Sequence, residues 1–149
     1  MKEIDDFLTK SSEVLNKIDK KTISKSLKIL KNCQKINGRI FFAGTGGGAG
    51  HASHAANDFR KICNIESYSI TDNVSELTAR INDDGWHSSY SNWLKVSKMN
   101  NKDILFIFSV GGGNDKKKIS QKYSKMSVKF SKRFIWKKVS LKYLELFNF

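Results

Sequence analysis

Apolar positions in the first third of the chain recur at helical spacing. They are Ile4, Phe7, Leu8, Leu15 and Ile18, followed after a Lys-Lys-Thr break by Ile23, Leu27 and Leu30. Side chains spaced three and four residues apart share one face of a helix. The pattern therefore predicts one long or two short amphipathic helices that end near Cys33.

Three short segments are predicted to be strands, at residues 39–43, 67–70 and 104–108, and the first and third are largely apolar. The first leads into Gly-Thr-Gly-Gly-Gly-Ala-Gly (44–50) and the third into Ser-Val-Gly-Gly-Gly-Asn (109–114). Helices are predicted between them at residues 49–62, after a capping pair of Asn73 and Glu76, and from Trp86 to Ser97. Strands alternating with helices indicate a parallel α/β sheet, whose ligands bind beyond the carboxyl ends of the strands. Both glycine-rich segments would lie on that edge.

Composition favours one cytoplasmic domain. The 149 residues are 39% hydrophobic, with two cysteines at no metal-binding spacing and no apolar run long enough for a membrane span. The acidic, amphipathic start does not resemble a signal peptide. Of the net charge of +13, residues 115–149 carry +9, from eleven Lys/Arg and two acids. Because the basicity belongs to this tail, which has no recognisable motif, nucleic acid is disfavoured as a partner.

The first glycine segment has three open interpretations. Gly44 to Ala49 matches the G-x-G-x-x-A dinucleotide pattern, but Glu66 and Asp72 do not fit the acidic position expected after the second strand. A phosphate of another ligand is favoured, and a purely structural turn is the third interpretation. The second segment supplies a hydroxyl from Ser109 and unencumbered backbone N–H groups, unless it is simply a flexible loop.

Three polar residues follow the first glycine segment at helical spacing. His51, His54 and Asp58 would share one helix face, where they could hold a metal, supply a general base, or form an ordinary solvated surface. Asp83 precedes Asp84 and Gly85 and is first of all a turn residue, with a ligand role as the alternative. Nearby aromatic residues are predicted to be core or subunit-contact residues; they are Trp86, Tyr90 and Trp93.

Together these residues resemble the sugar isomerase (SIS) domain family, and within it the phosphoheptose isomerases. The similarity runs from about Ser24 to Asn114. It implies a three-layer, flavodoxin- or Rossmann-like α/β fold over residues 1–114, with no nucleotide cofactor. It also implies aldose–ketose isomerisation of a phosphorylated sugar, such as sedoheptulose 7-phosphate, in a homodimer or homotetramer.

The resemblance also implies roles for individual residues. His54 and Asp58 match the zinc-binding, catalytic histidine and glutamate of phosphoheptose isomerases, although Asp58 is one methylene shorter. Asp83 matches an aspartate on the ligand side of the site, and His51 is also expected on the ligand side. The implied phosphate site comprises Gly44, Thr45, Gly46, Gly47, Gly48, Ser109, Gly111, Gly112, Gly113 and Asn114.

The chain departs from the family after Asn114. Phosphoheptose isomerases continue with a helix, a strand and a helix that carries a glutamine and a catalytic histidine, whereas His87 is the last histidine here. The lysine-rich residues 115–149 are therefore expected to be a truncated or frame-shifted end, with catalysis impaired. The alternative function is a non-catalytic regulatory module that binds a sugar phosphate. A nucleic-acid binder that depends on the tail is the third hypothesis.

Overall fold

The computed structural model of the chain describes residues 1–109, which form five helices and a three-stranded sheet. The helices are α1 (Lys2–Asn16), α2 (Lys20–Lys35), α3 (Gly47–Lys61), α4 (Val74–Asp84) and α5 (Trp86–Val96), and the strands are β1 (Ile40–Gly44), β2 (Ser67–Ser69) and β3 (Ile104–Phe108). Among these residues no helix is long and apolar enough to cross a membrane. The predicted boundary between residues 114 and 115, and the tail beyond it, lie outside the described residues.

The N-terminal segment forms two helices, which settles one alternative left open by the sequence. The break lies at residues 17–19 and not at the predicted Lys-Lys-Thr, because Asp19 caps α2. Its carboxylate accepts hydrogen bonds from the Lys21 N–H at 2.9 Å and the Thr22 hydroxyl at 2.6 Å. Satisfying these N–H and O–H groups draws the three predicted break residues into the first turn of α2.

The sheet is parallel, as predicted, with strand order β2-β1-β3. Its central strand is buried along its whole length because helices cover both faces. On one face the Phe42 ring packs against Phe59 of α3 at 5.3 Å, and on the other the Phe41 ring meets Trp93 of α5 at 5.8 Å. Cys33 of α2 joins the Phe42 side of the core. These contacts confirm the three-layer architecture.

Helix α4 confirms half of the predicted capping pair and corrects a predicted turn. The Asn73 side chain accepts a hydrogen bond from the Glu76 N–H at 3.1 Å, whereas the Glu76 carboxylate pairs with Arg80 at 2.6 Å. Asp83, predicted in a turn, lies in the last turn of this helix, and the chain changes direction at Gly85, where φ is 81°. Glycine tolerates that conformation, so one residue suffices to separate α4 from α5.

A buried ion pair joins β1 to β3 at the edge of the sheet where both strands begin. The Asp103 carboxylate is almost fully buried and accepts hydrogen bonds from the Arg39 guanidinium at 2.8 Å, the Arg39 N–H at 2.9 Å and the Asn100 N–H at 2.9 Å. Burial acts to raise the pKa of Asp103, but these hydrogen bonds outweigh it and hold the pKa below its usual range.

The ion pair also affects a cysteine beneath it. Cys33 lies against the Arg39 and Lys102 carbonyls, with its sulfur 3.7 and 3.6 Å from their oxygens. Burial, with the negative charge of Asp103 adding to it, raises the pKa of the Cys33 thiol to about 11. This thiol is therefore a neutral part of the core at pH 7.

We predict that Asp103→Asn lowers the free energy of unfolding by about 2–4 kcal/mol at pH 7, because the Arg39 charge loses its buried partner. The lowered pKa of Asp103 makes its contribution present above about pH 4, the unfolded-state value, and lost as pH falls through the folded-state pKa. Urea unfolding at pH 7 and pH 3 should therefore show a gap between wild type and variant that narrows in acid.

Glu76→Gln is the matched control, since it breaks a more exposed pair on α4 and should cost less than about 1 kcal/mol. An Asp103→Asn loss no larger than this at pH 7 would show that the buried pair does not stabilise the sheet.

Candidate functional site

The ends of β1 and β3 meet the first turn of α3 at a junction where two residues, Gly44 and Gly48, have no side chain. Gly44 lies opposite Phe108 in the sheet, so both strands end at the same edge, as predicted. A Cβ atom on Gly44 would overlap the Gly48 carbonyl, and one on Gly48 would lie 3.0 Å from the Phe108 carbonyl oxygen. These two glycines let the backbones of β1, α3 and β3 approach one another.

Residues 44–48 form a glycine turn, and the middle of this turn faces open space. Helix α3 begins at Gly47, two residues earlier than predicted, so half of the expected loop is its first turn. A Cβ on Gly46 or Gly47 would meet no atom within 4 Å. Gly46 has φ 55° and ψ −125°, a backbone conformation that glycine adopts most readily.

This open turn presents backbone donors. The N–H groups of Gly48 and Ala49 fold back onto the Thr45 and Gly46 carbonyls, at 2.9 and 3.0 Å. Within residues 1–109, the N–H groups of Gly46 and Gly47 donate no hydrogen bond. The N-terminus of a 15-residue helix also carries about half a positive charge, so the turn is suited to an anion.

Tyr90, predicted to be a core or subunit-contact residue, contacts the start of this turn. Tyr90 of α5 donates its hydroxyl hydrogen to the Gly44 carbonyl at 2.7 Å. The two residues are 46 positions apart, so no local motif signals the contact. Trp86, from the same predicted group, is half exposed, whereas Trp93 packs on Phe41.

His51 lies over the first turn of α3, with its ring 6.0 Å from the ring of Phe108. Its Nδ1 is 2.7 Å from the Gly47 carbonyl oxygen. A carbonyl oxygen only accepts, so Nδ1 carries the hydrogen and, in the neutral ring, Nε2 is left as an acceptor. The contact thus fixes the tautomer of an imidazole next to the open turn.

His54 and Asp58 form an imidazole–carboxylate pair one turn further along α3. Their Nε2 and Oδ2 atoms are 3.3 Å apart, with the His54 side chain 79% and the Asp58 side chain 41% exposed. Two ligands of one tetrahedral zinc also lie about 3.3 Å apart, given bonds of about 2.0–2.1 Å. Within the described part of the chain, however, no three His, Cys, Asp or Glu side chains come together as a metal site.

The remaining predicted site residues divide into three groups. Ser109 is exposed and directly follows β3, at the same edge of the sheet as Gly44 and Thr45. Asp83 is exposed on α4, where its carboxylate accepts a hydrogen bond from the Asn82 side chain at 2.9 Å, and no described contact joins it to the glycine turn. The last group lies outside the described residues and comprises Gly111, Gly112, Gly113 and Asn114.

Comparisons with known proteins support this fold. The sequence matches no protein-family model and no curated protein. Among solved structures the chain is similar to the phosphoheptose isomerase GmhA from Neisseria gonorrhoeae, with a TM-score of 0.67 and 21% sequence identity. The similarity covers 83% of this chain and 66% of that one. The chain therefore has a fold like that of this phosphoheptose isomerase and spans just under two thirds of the length of that enzyme.

Adding a methyl group to the closely packed Gly44 and to the open Gly47 should change the stability of the fold differently. We predict that Gly44→Ala lowers the free energy of unfolding by about 3 kcal/mol or more, because the new Cβ overlaps the Gly48 carbonyl. Gly47→Ala should leave stability unchanged or raise it by up to about 1 kcal/mol, since Ala is the better helix former and the site is open. Thermal and urea unfolding of both variants measure this difference, and equal losses would contradict it.

Proposed function

We propose that this chain is a sugar-phosphate-binding protein of the phosphoheptose isomerase type. The observation that carries the proposal is the open glycine turn at the start of α3, followed on the same helix by two histidines and a carboxylate. The phosphoheptose isomerase-like fold supports a phosphorylated sugar as the ligand, in preference to a dinucleotide.

In this proposal the phosphate group binds at the N-terminus of α3. The N–H groups of Gly46 and Gly47 would donate to its oxygens, and the helix dipole would favour its negative charge. Thr45 and Ser109 would add hydroxyl donors from the ends of β1 and β3. The predicted donors at residues 111–114 would complete this site from the segment after β3.

The proposed chemistry is interconversion of an aldose and a ketose. A base removes the proton on the carbon next to the carbonyl, and the carbonyl oxygen gains a proton to give an enediol. The former carbonyl carbon is then protonated while the hydroxyl on the neighbouring carbon loses its proton and becomes the new carbonyl. His54 and Asp58, with His51 nearby, are the residues of α3 able to take or return that proton. We also propose that His54 and Asp58 bind zinc, which would polarise the substrate's carbonyl oxygen, with further ligands from outside residues 1–109.

Asp58 is one methylene shorter than the glutamate that phosphoheptose isomerases are expected to have at this position. Its carboxylate reaches His54 at 3.3 Å, but the family position holds the longer glutamate, and a misplacement of about 1 Å can reduce a rate by about 100-fold. We therefore propose substrate binding with impaired turnover.

Calorimetric titration and an isomerase assay test this function. The full chain should bind sedoheptulose 7-phosphate at least tenfold more tightly than sedoheptulose, because only the former places a phosphate at α3. Any turnover should disappear in Asp58→Ala and after zinc is removed with a chelator, and should rise in Asp58→Glu. Asp6→Ala, on α1, is the control for loss of a carboxylate elsewhere. Equal affinity for both sugars would refute the phosphate site.

The alternative is a regulatory module that binds a sugar phosphate without acting on it. The shorter carboxylate side chain at Asp58 favours this function, and the His54–Asp58 pair, 3.3 Å apart, disfavours it. Thermal stabilisation by sedoheptulose 7-phosphate without detectable turnover, even in Asp58→Glu, would select it. The predicted cytoplasmic location and the nucleic-acid hypothesis still rest on sequence alone.

We also propose that the chain forms a homodimer or homotetramer. Helix α1 buries none of its residues within the described chain, yet Ile4, Phe7, Leu8 and Leu15 each expose about 60% of their surface. A 15-residue helix is marginal in water without a packed face, so this stripe needs a partner surface. The opposite charges of α1, with four acids and two lysines, and α2, with six lysines and no acid, fit contact between copies.

Light scattering coupled to size-exclusion chromatography tests the assembly. We expect the full chain to elute as a dimer or tetramer and the double variant Phe7→Glu, Leu8→Glu to elute as a monomer. Lys10→Glu, which changes charge without adding polarity to the apolar stripe, is the control. A monomeric wild-type chain would contradict the proposal.

A further inference from the structure

The Gly44 carbonyl lies just past the end of the neighbouring strand β2. Two residues earlier, the Phe42 carbonyl accepts a hydrogen bond from the Ile70 N–H at 3.0 Å. Carbonyls two residues apart along a strand point to the same side, so the Gly44 carbonyl points to the β2 side of β1, where the strand has already ended at Ser69. Tyr90 supplies a donor there, with its hydroxyl 2.7 Å from the carbonyl oxygen.

The hydrogen bond from Tyr90 to the Gly44 carbonyl fixes the orientation of a whole peptide group. The peptide group between Gly44 and Thr45 is planar, so fixing the direction of its carbonyl fixes that of the whole unit. The chain reaches the N–H groups of Gly46 and Gly47 within the next two residues, and Gly46 tolerates conformations that other residues do not. An unrestrained glycine turn would sample several directions for these donors, at an entropic cost on binding.

We infer that Tyr90 is a positioning residue for the anion-binding turn and that it acts through the Gly44 carbonyl. The inference rests on the proposed function, because it assigns Tyr90 to the phosphate site placed at α3. Its aromatic ring packs 5.8 Å from Trp86, a contact that phenylalanine would keep. The hydroxyl is therefore the part of Tyr90 that reaches the turn, whereas the ring contact with Trp86 lies within α5.

Full-length Tyr90→Phe tests the inference against Tyr68→Phe. The control also removes one hydroxyl, that of Tyr68 on β2, which donates to the exposed Glu66 carboxylate at 2.8 Å, and it keeps the ring stacked on Phe41. Calorimetric titration with inorganic phosphate and with sedoheptulose 7-phosphate should show affinity about fivefold weaker in Tyr90→Phe and unchanged in Tyr68→Phe. Thermal midpoints of the two variants should be similar.

Backbone NMR of the unliganded chain gives a second readout that does not depend on a ligand. In Tyr90→Phe the Gly44 carbonyl carbon and the Gly46 and Gly47 amides should shift, whereas in Tyr68→Phe they should not. Unchanged phosphate affinity in Tyr90→Phe, or a thermal midpoint that falls while affinity stays constant, would overturn the positioning role.

If the wild-type chain binds neither probe, the proposed phosphate site fails, and the NMR comparison alone then decides whether Tyr90 orients the turn. Shifts of the Gly46 and Gly47 amides in Tyr90→Phe that are absent from Tyr68→Phe would uphold that control of the turn. Unchanged shifts would overturn it.

Discussion

The candidate site depends on the close approach of three backbones at Gly44, Gly48 and Phe108. Gly44 has no space for a Cβ, and a Cβ on Gly48 would meet the Phe108 carbonyl oxygen at 3.0 Å. Two side-chain-free residues therefore bring the start of α3 against the ends of two neighbouring strands. Because the strand ends are in register, the turn and Ser109 lie at one edge of the sheet. That edge is where α/β sheets bind their ligands.

Aromatic packing in the core holds β1, α3 and β3 together at this junction. The Phe42 ring contacts the rings of Phe59, Phe106 and Phe108 at 5.3, 5.5 and 6.1 Å, so one side chain joins β1 to both α3 and β3 just before the glycines begin. Small residues of α3, Ala52 and Ala56, are buried in the same cluster and let the helix lie close to the sheet. A site built on packed strands and a helix is held more precisely than one on a free loop.

Local patterns predicted most of the fold, and long-range contacts account for what they missed. Apolar runs that lead into glycine segments predicted the parallel strands β1 and β3, because burial on both faces favours continuous apolar residues. The start of α3 was placed two residues late since glycine is a poor helix former, and tertiary packing at Gly48 overrides that preference. Asp103, which joins β1 to β3, and Tyr90, which reaches Gly44, carried no sequence signal because their partners are 64 and 46 positions away. His54 and Asp58 were predicted to share a helix face, and the structure places them 3.3 Å apart.

Strand β1 is fixed at both ends by polar contacts of different kinds. At its beginning, Asp103 binds the Arg39 main chain and guanidinium, with a carboxylate that is almost fully buried. At its end, the Tyr90 hydroxyl and the glycine junction hold Gly44. In the first contact, the Asp103 carboxylate has hydrogen-bond donors from the described residues on both of its oxygens, so it offers nothing to a ligand. The second leaves the N–H groups of Gly46 and Gly47 without a hydrogen-bond acceptor among residues 1–109, within three residues of a restrained carbonyl. In the proposed phosphate site, these two donors and the dipole of α3 are the groups that this end of the strand offers to an anion.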